Sequence, residues 1–493
     1  MHPYIRVHGM YDAIVIGRDL SSLIAALASA RYGRRTILVN EGKLETEHRE
    51  AGYAFPIDPT PLSGFGEDQT VGRIIKELQL TSDTAPLPPI LDPALQVIFT
   101  DHRVDLFHDR ERLIVDIVRE FPQCEREIRR FYHALSKAET LIKRWIGEDH
   151  NGQSNDLKKF FRGLLRLPAA VASRSSLLIR GNQNDGAFRK VIEAQLSILS
   201  HLYCSHYPFP LSAAYLLALP QNGFYYAYGR ISWMTWLCKE FTDAGGILMN
   251  DCSVMRIDTH PEIIVDVESA GSSQTIRGKK LVVSAQWEKL RLLLFKQKIF
   301  RRLVRKLAAL QPTLYPFSLH LGVYTGGLPE ALAPYAVVVR DETKPATDQN
   351  LVFIVSSRPG ETEHAPEGRQ AITATVFLTD SPLMLTDMEL KGIAKSIIDS
   401  LEGFLPFLRE SIDFVNIEKS IELSRRSQEI VSQKYRPRKG TMIGMNTLSP
   451  ETPLHNVLLT GGILRAGLGF EGEIIAGLDA AFLTGMEIQS NER

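Results

Sequence analysis

The apolar positions of this chain change period several times, and each change marks an element. The run Ala13–Ile16 stops at Gly17, after which Leu20, Leu23, Ile24 and Leu27 recur at helical spacing. Gly33 closes that helix, and the β-branched stretch TILVN at 36–40 reads as a buried parallel strand. A second helix is expected over Ile231–Ala244, ended by Gly245 and Gly246. SVMRID, EIIVDV and KKLVVSA follow it with polar turns between them, which predicts a three-stranded meander. From 111 to 146 apolar residues recur at helical intervals in a charged background, the mark of a helical insertion. Residues 315–380 alternate in strand fashion, 386–411 return to helical spacing, and HNVLLTGG at 455–462 is a strand entering a glycine-rich turn. Like blocks at both chain ends, with a different block between, predict two domains that exchange the chain repeatedly. We expect 1–75, 215–290 and 430–493 to form one, and 76–214 with 291–429 to form the other.

Composition narrows the function classes. The 493 residues suffice for about three domain-sized units, or two interleaved ones, with a large core. Hydrophobic residues make up 44% and charged ones 23%, the balance of an ordinary globular protein. Lys+Arg and Asp+Glu both number 57, so nothing in the net charge of zero asks for a polyanionic partner, and nucleic acid is set aside. Cys124, Cys204, Cys238 and Cys252 show no CxxC and no metal spacing, and are expected as free thiols in a reducing cytoplasm. The histidines form no HxxxH or HExxH pair, so no metal site is expected. The first ten residues lack the apolar core of a signal peptide. Ala194–Gly229 contains no Asp, Glu, Lys or Arg, but prolines and polar residues break it short of the ~20 apolar residues of a membrane span. The chain is therefore expected to be cytoplasmic or peripheral. LKKFFRGLLRLP at 157–168 puts Lys158, Arg162 and Arg166 on one helical stripe and its apolar residues on the other side. It suits an amphipathic helix packed on the core with a solvated basic face, or a membrane interface. SHYPFP and NGFYYAYGR are aromatic-rich, and either line an apolar tunnel or pack in the core. No catalytic constellation is visible from spacing.

The ordered set of motifs resembles the phytoene desaturase and retinol saturase-like branch of the FAD-dependent amine-oxidase superfamily, over nearly the whole chain. VIGRDLSSLIAALASARYGRRTILVN matches the family's strand, GxGxxG turn, helix and second strand without gaps. GYAFPIDP at 52–59, PEGRQAI at 366–372 and PETPLHNVLLTGGILRAGLGFEGEIIAGLDAA at 450–481 resemble the later motifs, in order and at the right distances. The resemblance implies an α/β fold, a Rossmann-type FAD/NAD(P)-binding domain interleaved with a mixed-sheet substrate domain and a helical insertion. It places cofactor-binding roles on Gly17, Asp19, Ser22, Asn40, Arg49, Val254, Gly461, Gly462, Gly467, Gly469 and Glu473.

Several of these positions depart from the pattern. Asp19 replaces the glycine that lets the backbone approach a pyrophosphate, and Ser22 replaces the helix-packing glycine. Asn40 stands where an acidic residue would hold the ribose, with Glu41 following directly. The family's GGR loop falls on TEH at 46–48, with Arg49 one place late. Gly462 replaces an aspartate expected on the ribityl chain, and Glu473 replaces a small residue opening the last helix. A carboxylate about 4 Å from a phosphate charge costs about 4 kcal/mol at an effective dielectric near 20, roughly a thousandfold in affinity. Asp is also a favoured helix cap, so Asp19 either takes the amides that would hold the pyrophosphate or turns outward and leaves room for it.

Two functions follow. One is an FAD-dependent oxidoreductase acting on a hydrophobic, isoprenoid- or polyene-like substrate, in which flavin carries the chemistry. The other is a flavin-free relative that binds lipid or a homologous protein partner, as Rab GDP-dissociation inhibitors use this fold.

Overall fold

The computed structural model describes residues 9–485 apart from 137–185, 204–223, 345–349, 437–447 and shorter gaps of one to four residues. The first unit is β1 (Met10–Ile16), helix α1 (Leu20–Arg31) and β2 (Thr36–Val39). In α1 every residue from Leu20 to Ala30 is buried, which its small Ala and Ser residues allow. Its neighbour is the closing helix Gly469–Thr484, where a Cβ on Gly477 would lie 2.8 Å from Ile24 Cβ. Close helix packing is therefore written into Gly477.

The first sheet adds β9 (Ile247–Met249), β10 (Cys252–Asp258), β11 (Ile263–Ser269), β12 (Ser272–Ser284) and β19 (Val457–Thr460). Its order is β10-β11-β12-β1-β2-β9, with β19 paired to β12 beyond the end of β11. β19, β12, β1, β2 and β9 are mutually parallel, and β10–β12 form the expected antiparallel meander. TILV and VLLT thus lie in one Rossmann-type sheet. Their uninterrupted apolar character is what burial on both faces requires, at roughly 1.5–3 kcal/mol per enclosed Val, Ile or Leu.

The second sheet runs β17 (Ile412–Val415), β13 (Pro312–Tyr324), β16 (Arg369–Leu378), β15 (Leu351–Ser356), β14 (Tyr335–Val339), β6 (Leu95–Ile98), β7 (Arg103–Leu106). It is antiparallel except for β14 with β6, which makes it mixed. Helix Asp387–Glu402 covers one face through Leu390, Ala394, Ile397 and Leu401, and begins with a capping box from Thr386 and Glu389. β18 (Lys434–Tyr435) pairs with β13 beside this sheet. The hairpin β3 (Glu47–Glu50) and β4 (Tyr53–Pro56) packs against β16. A short pair, β5 (Ile90–Leu91) with β8 (Phe224–Tyr225), stands apart.

The helical insertion is represented by Arg110–Glu120 and the turns after it. The stretches 157–168 and 205–210 lie outside the described residues. Tyr226 and Tyr228 are buried, their hydroxyls donating to Glu361 and to the Ala371 carbonyl, so core packing accounts for these aromatics. Among the described residues no helix is long and apolar enough to cross a membrane, and no His, Cys, Asp or Glu group could hold a metal ion. Cys238 and Cys252 are free thiols, and Cys124 is buried; Cys204 falls outside the described residues.

Candidate functional site

The first turn forms at the carboxyl ends of β1 and β12. A Cβ on Gly17 would overlap Ser22 Oγ and lie 2.8 Å from Ser284 Cβ, so glycine is required by the chain's own packing. Asp19 caps α1 with its side chain turned inward. Its Oδ1 accepts the Ser22 amide at 2.8 Å and the Ser22 hydroxyl at 2.9 Å, and its Oδ2 accepts the Ser284 hydroxyl. The residue is 7% exposed. Burial raises its pKa, and the hydrogen bonds from Ser284 and Ser22 oppose the rise. The helix amide that resembles a pyrophosphate donor thus already has an acceptor from the chain itself.

The same happens after β2. Asn40 is buried, its Nδ2 donating to Asn250 Oδ1 at 2.9 Å while its own Oδ1 finds no partner. Glu41 Oε1 accepts the Val254 amide at 2.6 Å and Lys289 Nζ at 2.7 Å, and its Oε2 accepts Trp287 Nε1 at 2.7 Å. Two elements far apart in sequence, β10 and the segment after β12, are tied together by one carboxylate. Arg49 does not join them. It is exposed on the β3–β4 hairpin, bound to Glu47 at 2.7 and 3.2 Å and to the Glu363 carbonyl at 3.1 Å.

At the end of β19, Gly461 has φ +115 and Gly469 φ +57, conformations that favour glycine. The Gly462 amide donates to Gln286 Oε1 at 3.1 Å. A Cβ on Gly462 would lie 2.9 Å from Glu473 Cγ, so the absent aspartate and the added glutamate are one steric exchange. Gly467 is buried in the turn between them. Glu471 and Glu473 both lie buried in the first turns of the closing helix, where the exposed amides favour negative charge. Glu471 accepts Ser63 Oγ at 3.1 Å and Thr70 Oγ1, and the Glu473 carbonyl accepts Ser21 Oγ at 2.7 Å.

His201, Gln286 and Tyr435 complete the cluster, and none was expected. Burial drives the pKa of Tyr435 upward, with Asp19 and Glu473 adding to the rise and Gln286 opposing it. His201 is 3% exposed with neither ring nitrogen hydrogen-bonded. Its Nε2 lies 3.6 Å from Glu473 Oε1, too long for a hydrogen bond. Burial, then Lys434 and Arg230, lower its pKa to about 3, so the ring is neutral. Arg230 is itself paired with Asp58 at 2.8 Å, both buried. The only signal for His201 was its place in the stretch free of charged residues.

The residues present do not fit a bound FAD. Ser22, Val254 and Gly462, three positions the resemblance assigns to cofactor, all donate their amides to Asp19, Glu41 and Gln286 of the chain itself.

No protein-family model matches the chain, and no curated protein matches it. Solved structures do. An oxidoreductase from Methanosarcina mazei is similar at 11% identity and TM-score 0.60, over 94% of this chain and 98% of that one. The PF1083 protein from Pyrococcus furiosus is similar at 13% and 0.57, over 97% and 99%. Cyclohexylamine oxidase from Brevibacterium oxydans is similar at 14% and 0.54, over 96% and 98%. The protein thus has the Rossmann-type α/β fold of these solved structures. At such identities the likeness is one of fold.

Proposed function

We propose that the protein keeps this oxidoreductase architecture but works without flavin, as a binding protein for a hydrophobic small molecule or a homologous protein partner. The observation that carries the reading is the inward commitment of the Ser22, Val254 and Gly462 amides. An amide offers one hydrogen, and a hydrogen bond to a charged acceptor contributes roughly 1.5–3 kcal/mol. FAD would have to displace two carboxylates and one amide oxygen, and then place its diphosphate beside Asp19. Side chains alone carry no hydride chemistry, so without flavin the remaining use of the fold is recognition.

A second reading, an FAD-dependent oxidoreductase acting on a hydrophobic substrate, is favoured by the fold likeness over nearly the whole chain and by the retained turns at Gly17, Gly461 and Gly469. Flavin absorbance after desalting separates the two. The unmodified protein is expected to be colourless and to take up added FAD weakly. The variant Asp19→Gly/Gly462→Asp/Glu473→Ala should bind FAD at least tenfold more tightly, since removal of one nearby carboxylate alone is worth about a thousandfold at 4 Å. Glu473→Ala is needed because it clears the space that the new aspartate must enter. Stoichiometric flavin in the unmodified protein would overturn the first reading in favour of the second.

A further inference from the structure

After β12 the chain crosses to the second sheet, and from Lys289 to Pro329 it contains no aspartate or glutamate. Two helical pieces, Leu290–Leu293 and Arg301–Ala308, lie along this crossover. Leu290, Leu294, Phe300, Leu303 and Leu307 are buried and hold it against the core. Its outer face is different. Arg301, Arg302, Arg305 and Lys306 occupy positions i, i+1, i+4 and i+5 of the second helix and all are exposed, as are Arg291 and Lys298 before it. None of these six has an ion pair among the described residues, whereas exposed Arg112, Arg129 and Lys391 elsewhere each reach a carboxylate. Leu292 and Ile299, 55% and 48% exposed, are set among them. The zero net charge conceals a local concentration of exposed positive charge.

We propose that this face docks on an anionic lipid surface, its six cations over the headgroups and Leu292 and Ile299 in the interfacial layer. The apolar side of Arg301–Ala308 is already used by the protein core, so the helix lies flat with only its basic side outward. Cations spread along such a face suit a diffuse negative surface, where each contributes about fivefold, or ~1 kcal/mol. Exposed aliphatic side chains between them favour a medium that accepts hydrocarbon. A single-stranded nucleic acid would instead call for aromatic side chains on which bases stack. The surface lies outside the flavin-like site, and its role does not depend on whether that site holds a ligand.

The test is co-sedimentation of the full chain with vesicles of phosphatidylcholine alone and of equimolar phosphatidylcholine and phosphatidylserine. Recovery is expected with the anionic vesicles only, falling as salt rises. Arg301→Gln/Arg302→Gln/Arg305→Gln/Lys306→Gln should lower partitioning by about a hundredfold or more, while the all-lysine version keeps it. Leu292→Ser/Ile299→Ser should weaken it by about tenfold at every salt concentration. Unchanged thermal unfolding would show that these variants fold. Lys158→Gln/Arg162→Gln/Arg166→Gln serves as the control and should leave partitioning nearly unchanged. The proposal is overturned if that control alone abolishes binding, or if the four-glutamine variant binds as the parent does. Binding to duplex DNA without binding to anionic vesicles would overturn it as well.

Discussion

At the carboxyl ends of the parallel strands of the first sheet, Asp19, Glu41 and Glu471 aim their carboxylate oxygens at donors inside the protein. On the crossover between the sheets, Arg291, Lys298, Arg301, Arg302, Arg305 and Lys306 are exposed and have no ion pair among the described residues. Lys289 marks the border, since it belongs to the basic segment by sequence and to the Glu41 network by contact. The difference is one of solvation. A buried carboxylate must find donors within the fold or lose its charge, so its position is tied to several other elements. An exposed cation is already solvated by water and remains available to a partner.

Four measurements can break or sharpen this contrast. The largest effect is expected from His201. Its pKa falls from an ordinary 6.5 to about 3 in the fold, so the stability it contributes is complete above about pH 6.5. That stability is lost as pH falls towards 3, at up to ~1.4 kcal/mol per pH unit. Urea midpoints measured down this range should drop more steeply for the parent than for His201→Gln. Equal slopes would mean that the ring is not held neutral by burial.

Glu41→Ala comes next. It leaves the Val254 amide, Trp287 Nε1 and Lys289 Nζ without their acceptor and should destabilise by about 3 kcal/mol in equilibrium urea unfolding. A loss below ~1 kcal/mol would show that water replaces the carboxylate, and the inward half of the comparison would fail.

Asp19→Asn should act in the opposite direction and more weakly. Because the folded state raises the pKa of Asp19 above 3.8, its favourable contribution is present below that pH and is lost as pH rises through the folded value. Asparagine retains the cap on Ser22 and removes the buried charge, so a gain of about 1 kcal/mol at neutral pH is expected, with no gain in strong acid. The smallest effect belongs to the basic face. Replacing Arg301, Arg302, Arg305 and Lys306 by glutamine should alter stability by no more than about 0.5 kcal/mol per residue. A larger loss would reveal a structural role for that face.

Much of the fold was legible because it is local. The end of the run at Gly17, the helical spacing through Leu27, the buried strand at 36–39 and the meander at 252–284 each declare themselves within a few turns of chain. The cap by Asp19 was legible for the same reason, since its amide acceptor pair spans three residues. The basic crossover was also visible in principle as a long stretch without acidic residues, but total charge averaged it away.

Sequence alone determined the order of elements, the sheet to which β2 and β19 belong, and the positions at which the cofactor motif departs from its pattern. Only the tertiary structure decided what those departures do. Glu41 follows Asn40 by one residue, yet its partners lie 213, 246 and 248 positions away, at Val254, Trp287 and Lys289. His201 and Glu473 come within 3.6 Å because one precedes a bridge to β18 and the other opens the helix after β19. Helical and strand periods report which face of an element is buried, since that follows from backbone geometry within a few residues. They do not report which distant donor meets a buried carboxylate, because that depends on how sheets and helices pack after the chain has crossed between the two sheets.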